Sequence, residues 1–198
     1  MTTSLKVVAR APVLAVPLAR ARAHLRVDSS DDDELITSYV HAATQYAEAF
    51  MGRALVDTTY DMVLDAFPKG RALVLRRPPL IEFDGVYVLD ADDAETALDG
   101  VTVDLAGGRI IAPSGGWPRG TSEAGIRVRY RAGYVSYDAD ASPPATVGEV
   151  PPDIVGAILL YVGSLYQHRE DQTPGAMTTI PWNAELMLRM HRVEIGMA

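Results

Sequence analysis

Cysteine is absent from this 198-residue chain, which excludes disulfide staples and thiolate metal sites and suits folding in a reducing cytoplasm. Lysine is scarce as well: sixteen of the 18 basic residues are arginine. Arginine's flat, permanently charged fork suits interface ion pairs, although a GC-rich genome produces the same bias. Long apolar runs are missing. The longest, Ile154 to Tyr166, holds 13 residues, short of the roughly 18 that a membrane helix needs. The mildly apolar start, Met1 to Val16, is interrupted by Lys6 and Arg10 and broken by Pro12, so neither a signal peptide nor a membrane contact is expected.

The signatures of catalysis are missing too. Neither a phosphate-cradling Gly-x-x-x-x-Gly-Lys-Ser/Thr loop nor a Gly-x-Gly-x-x-Gly turn occurs. Gly163-Ser164 falls inside a predicted helix and Ser114-Gly115-Gly116 in a turn, so neither is a nucleophile elbow. His24, His41, His168 and His191 are dispersed, with no pair spaced to put two metal ligands on one helix face. His168, close to Glu170 and Asp171, is expected to serve a helix end, where the dipole favours a cation. The acidic run Asp28 to Glu34 lacks the alternating order of a calcium loop, and Asp90, Asp92, Asp93 and Glu95 are expected in a hairpin turn from their composition. Capping and solvation explain both clusters, and no active site, metal or cofactor is expected.

What is present is a change of period along the chain. After a tail over 1–16, Pro17 opens a short helix over 17–26. Ser30 or Asp31 is expected to cap a long second helix. In it Leu35, Ile36, Tyr39, Val40, Ala43, Tyr46, Ala47 and Phe50 recur at spacings of three and four, and Gly52 ends it. From about residue 55 the period becomes two: Tyr60, Met62 and Leu64 alternate with Asp61, and Ile126, Val128 and Tyr130 alternate with Arg127, Arg129 and Arg131. Shorter strands are expected at 72–75, 86–89, 102–105 and 109–111, separated by turn residues. A proline-rich linker over 135–152, including Ser142-Pro143-Pro144, leads to a helix capped by Asp153 and running from Ile154 to about His168, in which Gly156, Gly163 and Ser164 permit close packing. A polar loop, 169–181, precedes a last helix from Trp182 to about Val193.

The fold class that follows is α+β: two N-terminal and two C-terminal helices packing as one domain, with a small, mostly antiparallel β insertion between them. The parts are a tail (1–16), a helical part (17–54), the β insertion (55–134), a linker (135–152) and a C-terminal helical part (153–198).

The order of motifs along the chain carries a further implication. His24-Leu25-Arg26-Val27-Asp28 precedes an acid-capped helix ending in Met51-Gly52-Arg53-Ala54-Leu55, and a strand then enters Phe67-Pro68 and Leu75-Arg76-Arg77-Pro78-Pro79-Leu80. Later come Gly108-Arg109-Ile110, Gly116-Trp117-Pro118, Ile126 through Tyr134, and Val150-Pro151-Pro152-Asp153-Ile154 leading to Tyr166-Gln167-His168-Arg169-Glu170. In this order, over residues 17–195, the chain resembles the phage head-to-tail connector, or adaptor, family, which includes prophage and gene-transfer-agent proteins. The resemblance implies a structural protein of the particle neck, made in the bacterial cytoplasm. It implies a ring of copies, commonly twelve, under the portal protein, extending the DNA channel toward a stopper or tail component without binding DNA specifically.

It also implies that the segment after His168 docks on the portal, with Trp182, Met187, Arg189, Met190 and Arg192 as the interface-like residues there. Arg127, Arg129 and Arg131 are expected on a solvated face, a subunit interface or the channel wall. The other readings are a stopper-like neck protein, a hydrolase built on the acidic clusters, and a nucleic-acid binder using the three strand arginines.

Overall fold

A computed structural model describes residues 3–90, 94–118, 125–141, 145–168 and 181–193. Asp92, Asp93, the Ser142-Pro143-Pro144 stretch, Glu170, Asp171 and nearly all of the 169–181 loop therefore lie outside the described residues. The chain is α+β and divides into two compact units, Met1–Ala11 with Val56–Ser136, and Pro12–Leu55 with Tyr137–Ala198.

The second unit is helical. Pro17, extended at φ −56° and ψ 140°, precedes α1 (Leu18–Leu25), and its carbonyl accepts the amides of Arg20 and Ala21. Arg26 ends α1 in the left-handed region at φ 57°. Arg22 reaches from α1 to the Asp28 carbonyl (2.6 Å) and to Asp33 (3.5 Å), tying the acidic run to this helix. α2 (Asp33–Met51) is entered through Asp32, which makes no side-chain cap. The expected cap at Ser30 or Asp31 is thus one or two residues early, although Ser30 does accept the Asp33 amide through its carbonyl at 3.2 Å.

Ile36, Val40, Ala43, Thr44, Ala47, Glu48 and Met51 form the buried face of α2, and Gly52 closes it at φ 69°. Each large apolar side chain buried here contributes ~1.5–3 kcal/mol. α3 (Pro152–Gln167) starts two residues before the expected Ile154 because Pro152 sits at its first position, where a missing N–H costs nothing. Asp153 therefore lies in the first turn rather than at the cap, and accepts the Ile154 amide at 3.0 Å. α3 packs on α1 and α2, and α4 (Trp182–Arg189) on α2 and α3. Small residues mediate two of these contacts: a Cβ on Gly156 would lie 3.9 Å from Met187 Sδ, and one on Gly163 3.5 Å from His24 Nε2.

The first unit is built on a five-stranded antiparallel sheet of β1 (Thr3–Arg10), β2 (Thr58–Leu64), β4 (Leu80–Leu89), β5 (Glu95–Ala97) and β8 (Ile126–Ala132), in the order β1-β2-β8-β4-β5. The segment expected as a tail is thus an edge strand, since its alternation is too shallow to read as one. β4 is also longer than the expected 86–89, because two bulges break its alternation between Leu80 and Gly85. Tyr60, Met62 and Leu64 pair with Tyr130, Val128 and Ile126 on the buried face. A smaller sheet, ordered β3-β7-β6, joins β3 (Ala72–Val74), β6 (Thr102–Asp104) and β7 (Arg109–Ile111). Two short strands, β9 (Ser136–Asp138) and β10 (Ala145–Val147), pair within the stretch expected as linker.

Gly133 follows β8 at φ 150°, and a Cβ there would come within 2.5 Å of the Asp57 amide nitrogen. No side chain fits that approach, which brings Asp57 N–H to the Val135 carbonyl at 2.7 Å. Nearby, the Tyr130 hydroxyl donates to the Arg76 carbonyl (2.8 Å) and Gly133 N–H to the Pro79 carbonyl (3.0 Å). The Arg-Arg-Pro-Pro and Tyr-Arg-Ala-Gly motifs therefore brace one another, and burial holds the Tyr130 phenol well above its ordinary pKa.

Candidate assembly surfaces

Strand alternation puts Arg127, Arg129 and Arg131 on one face of β8, as the sequence predicts, and places a carboxylate against each. Arg129 forms a two-bonded fork with Asp61 on β2, both contacts at 2.7 Å. Arg131 pairs with Asp57 and, at 2.7 Å, with Glu82 on β4. Arg127 pairs with Glu95 on β5 and lies 5.1 Å from the centre of the Tyr87 ring. The fork holds Asp61 below the usual carboxylate range and Arg129 above its own ordinary value. Lys6 on β1, opposite Asp61 in register, adds to the lowering. A stripe neutralised in this way does not present the free cations that phosphates need. The face is an ion-pair lattice, and the carboxylates at 57, 61 and 82 are the members that sequence reasoning missed. Their signal was Asp61, alternating with apolar residues opposite an arginine strand.

The expected portal-facing residues separate in space. α4 turns Ala184 and Leu188 inward, half-buries Met187 against Gly156, and exposes Trp182 (74%), Leu186 (52%) and Met190 (70%). Spacings of four put these last three along one side of the helix. Arg189 is exposed beside them, and Arg192, also exposed, lies 5.8 Å from the Phe50 ring centre. Leu186 joins the candidate surface and Met187 leaves it.

Polar contacts hold α4 in place. Tyr46 donates to Glu185 at 3.4 Å, and burial, together with this carboxylate, pushes the Tyr46 phenol up. His191 contacts Asp153, whose carboxyl is held below its usual range chiefly by that bond. The Arg53 guanidinium donates to the His191 carbonyl at 2.6 Å and the Val193 amide to the Met51 carbonyl at 2.8 Å. α4 stops at Arg189, before the expected Val193, where the His191 and Arg192 amides tighten onto the Leu188 and Arg189 carbonyls three residues back.

Several of the remaining polar groups hold the fold together. In the acidic run Asp32 accepts from the Tyr166 hydroxyl, and Asp33 pairs with Arg22. Glu48, buried on α2, accepts the Leu55 amide at 2.8 Å. His168 closes α3, its ring and its amide both within 3.0 Å of the Ser164 carbonyl. Among the described residues no group of three or more His, Asp or Glu is placed to hold a metal ion, and no helix is long and apolar enough to cross a membrane. An open cavity of about 410 Å³ is walled by Phe67, Lys69, Arg71 and Trp117. Its aromatic rings stack 4.7 Å apart, the Trp117 indole donates to the Gly70 carbonyl, and Arg71 donates to the carbonyls of Ala112 and Pro113. This is a loop brace.

Residues 16–75, which comprise α1, α2, β2 and β3, match the model of the phage gp6-like head-tail connector protein family. The matched segment supplies α1 and α2 of the helical unit and β2 of the five-stranded sheet. The fold is shared over nearly the whole chain with proteins of known structure. A chain in the neck of an empty gene transfer agent particle, computed with C6 symmetry, is 24% identical, with a TM-score of 0.75 and 98% of each chain covered. Chains from the virion of the native gene transfer agent and from its neck computed with C12 symmetry give TM-scores of 0.73 at the same identity and coverage. A comparison with curated proteins found no significant match.

Proposed function

We propose that this chain is a structural adaptor of a tailed phage or gene-transfer-agent particle, acting by assembly in the neck rather than by catalysis. The observation that carries this reading is the connector-family segment embedded in a fold that matches neck chains over 98% of both lengths. The C6 and C12 symmetry of those necks supports a ring of copies, commonly twelve, seated under a portal and continuing the DNA channel toward a stopper or tail component.

The α4 stripe of Trp182, Leu186 and Met190, with Arg189 beside it, fits the portal contact. It is an apolar strip with an arginine at its rim, the composition that anchors protein interfaces. Net charge of −8 fits a channel along which DNA slides without sticking. The decisive experiment mixes the full-length chain with the portal subunit of the same particle and examines it by electron microscopy and native mass spectrometry. Rings stacked on the portal are expected; monomers alone, with and without portal, would refute the reading. Trp182→Ala and Met190→Ala are expected to weaken portal binding while leaving the circular dichroism spectrum unchanged.

A further inference from the structure

The ion-paired face of the five-stranded sheet ends in opposite charges at its two edges. On β1 the terminal charge is Lys6, in register with Asp61, which is itself opposite Arg129. At the other edge it is Glu95 on β5, paired with Arg127. Signs thus alternate across the sheet and stop on a cation at one side and an anion at the other. The surrounding sequence amplifies the contrast: residues 3–10 hold Lys6 and Arg10 and no acid, whereas residues 90–100 hold five carboxylates and no base.

Among the described residues, both edges have open outer sides within the sheet. β1 exposes Val7 (55%) and Val8 (45%), and β5 is exposed at all three positions. Such an edge is a template for another strand. Four successive antiparallel pairings make β1 and β5 run in the same direction. A copy placed beside the first therefore brings its β5 parallel to β1. A bulge after Val7 limits the regular part of β1 to Thr3–Val7, still long enough for a three-residue partner.

We infer that neighbouring copies join through these edges, β5 of one lying along β1 of the next, with Ala97 beside Ser4 in a continued cross-strand row and Lys6 facing the acidic 90–100 stretch at its Asp99 end. Such a head-to-tail contact uses two different patches and so continues from copy to copy, closing into a ring when the rotation permits. The inference deepens the adaptor reading and rests on it for closure into the neck ring; the edge contact itself has its own readout.

Because the chain has no cysteine, introduced thiols are the only ones. Ser4 and Ala97 are exposed ends of the same cross-strand row, Ser4-Val63-Arg127-Tyr87-Ala97. The full-length Ser4→Cys/Ala97→Cys double variant, alone and coexpressed with the portal subunit, is treated with a short bis-maleimide. A ladder of dimers, trimers and higher multiples is expected on a denaturing gel, and only monomers from either single variant. Adding Lys6→Glu is expected to reduce the ladder about tenfold, and Asp99→Lys, which leaves the Glu95–Arg127 pair intact, to restore part of it. Circular dichroism verifies that each variant folds.

Dimers from Ser4→Cys alone would mean that two β1 edges meet, and would overturn the inference. Portal-bound rings without a ladder would overturn it while leaving the adaptor reading standing. A ladder with no portal binding would uphold the edge contact and count against the adaptor reading, and loss of both would refute both.

Discussion

Replacing Arg129 by alanine should expose how much the sheet depends on its charged face. Asp61 is buried and takes both of its strong hydrogen bonds from this guanidinium, at 2.7 Å each. Breaking a buried pair by deleting one partner typically costs ~3–5 kcal/mol, whereas an exposed pair is worth ~0–1 kcal/mol. Arg129 is one-third exposed, at 33%, so water partly replaces its bonds and a loss of ~2–3 kcal/mol is expected. At roughly 2–4 °C per kcal/mol for a chain of this size, the melting temperature should fall by ~5–10 °C.

The assay is urea unfolding of the Trp182→Phe protein, in which Trp117 is the one remaining tryptophan and reports on the sheet unit. Replacing the pair by Arg129→Met and Asp61→Leu should recover most of the loss, because no buried charge is then left alone. The pH dependence has a defined sign. Asp61 is held below its ordinary value by Arg129, so the pair's contribution is complete above the unfolded value of ~3.9 and is lost as pH falls toward the lower folded value. In Arg129→Ala the abandoned carboxylate gains by protonation, so the stability gap to the parent narrows on acidification. A loss below ~0.5 kcal/mol, or a gap that does not change with pH, would refute this reasoning.

Three further outcomes follow from the geometry. Gly133→Ala places a Cβ against the Asp57 and Val56 backbone and should cost ~3 kcal/mol or more, seen as loss of soluble protein or a sharply lowered urea midpoint. Glu48→Ala leaves the Leu55 amide without its acceptor and should cost ~1–3 kcal/mol in chemical denaturation, while Glu48→Gln retains most of the stability. Millimolar Mg²⁺ or Ca²⁺ should leave the melting temperature unchanged, since Asp32 and Asp33 are engaged by Tyr166 and Arg22; a rise would revive a metal role for the acidic run.

Helices, strands and the general α+β order follow from local periodicity and were legible before any coordinates. A helix period over 35–50 or a strand period over 126–131 depends only on which neighbours along the chain share a face. Motif order carried the family resemblance in the same way. β1 was not legible, because its residues are mostly exposed and alternate weakly, and what makes them a strand is the bonding offered by β2, some fifty residues away.

The same limit governs the surfaces. Sequence alone placed Arg127, Arg129 and Arg131 on one face, yet a cationic stripe and a neutralised lattice are identical until Asp57, Asp61, Glu82 and Glu95 arrive from three other segments. Likewise the α4 residues were marked as interface-like from composition. Only packing on α2 and α3 decided that Leu188 and Ala184 turn inward while Trp182, Leu186 and Met190 stay in water. Local pattern determines which side chains share a face; the rest of the chain determines what that face meets, because burial and charge pairing are made between residues distant in sequence.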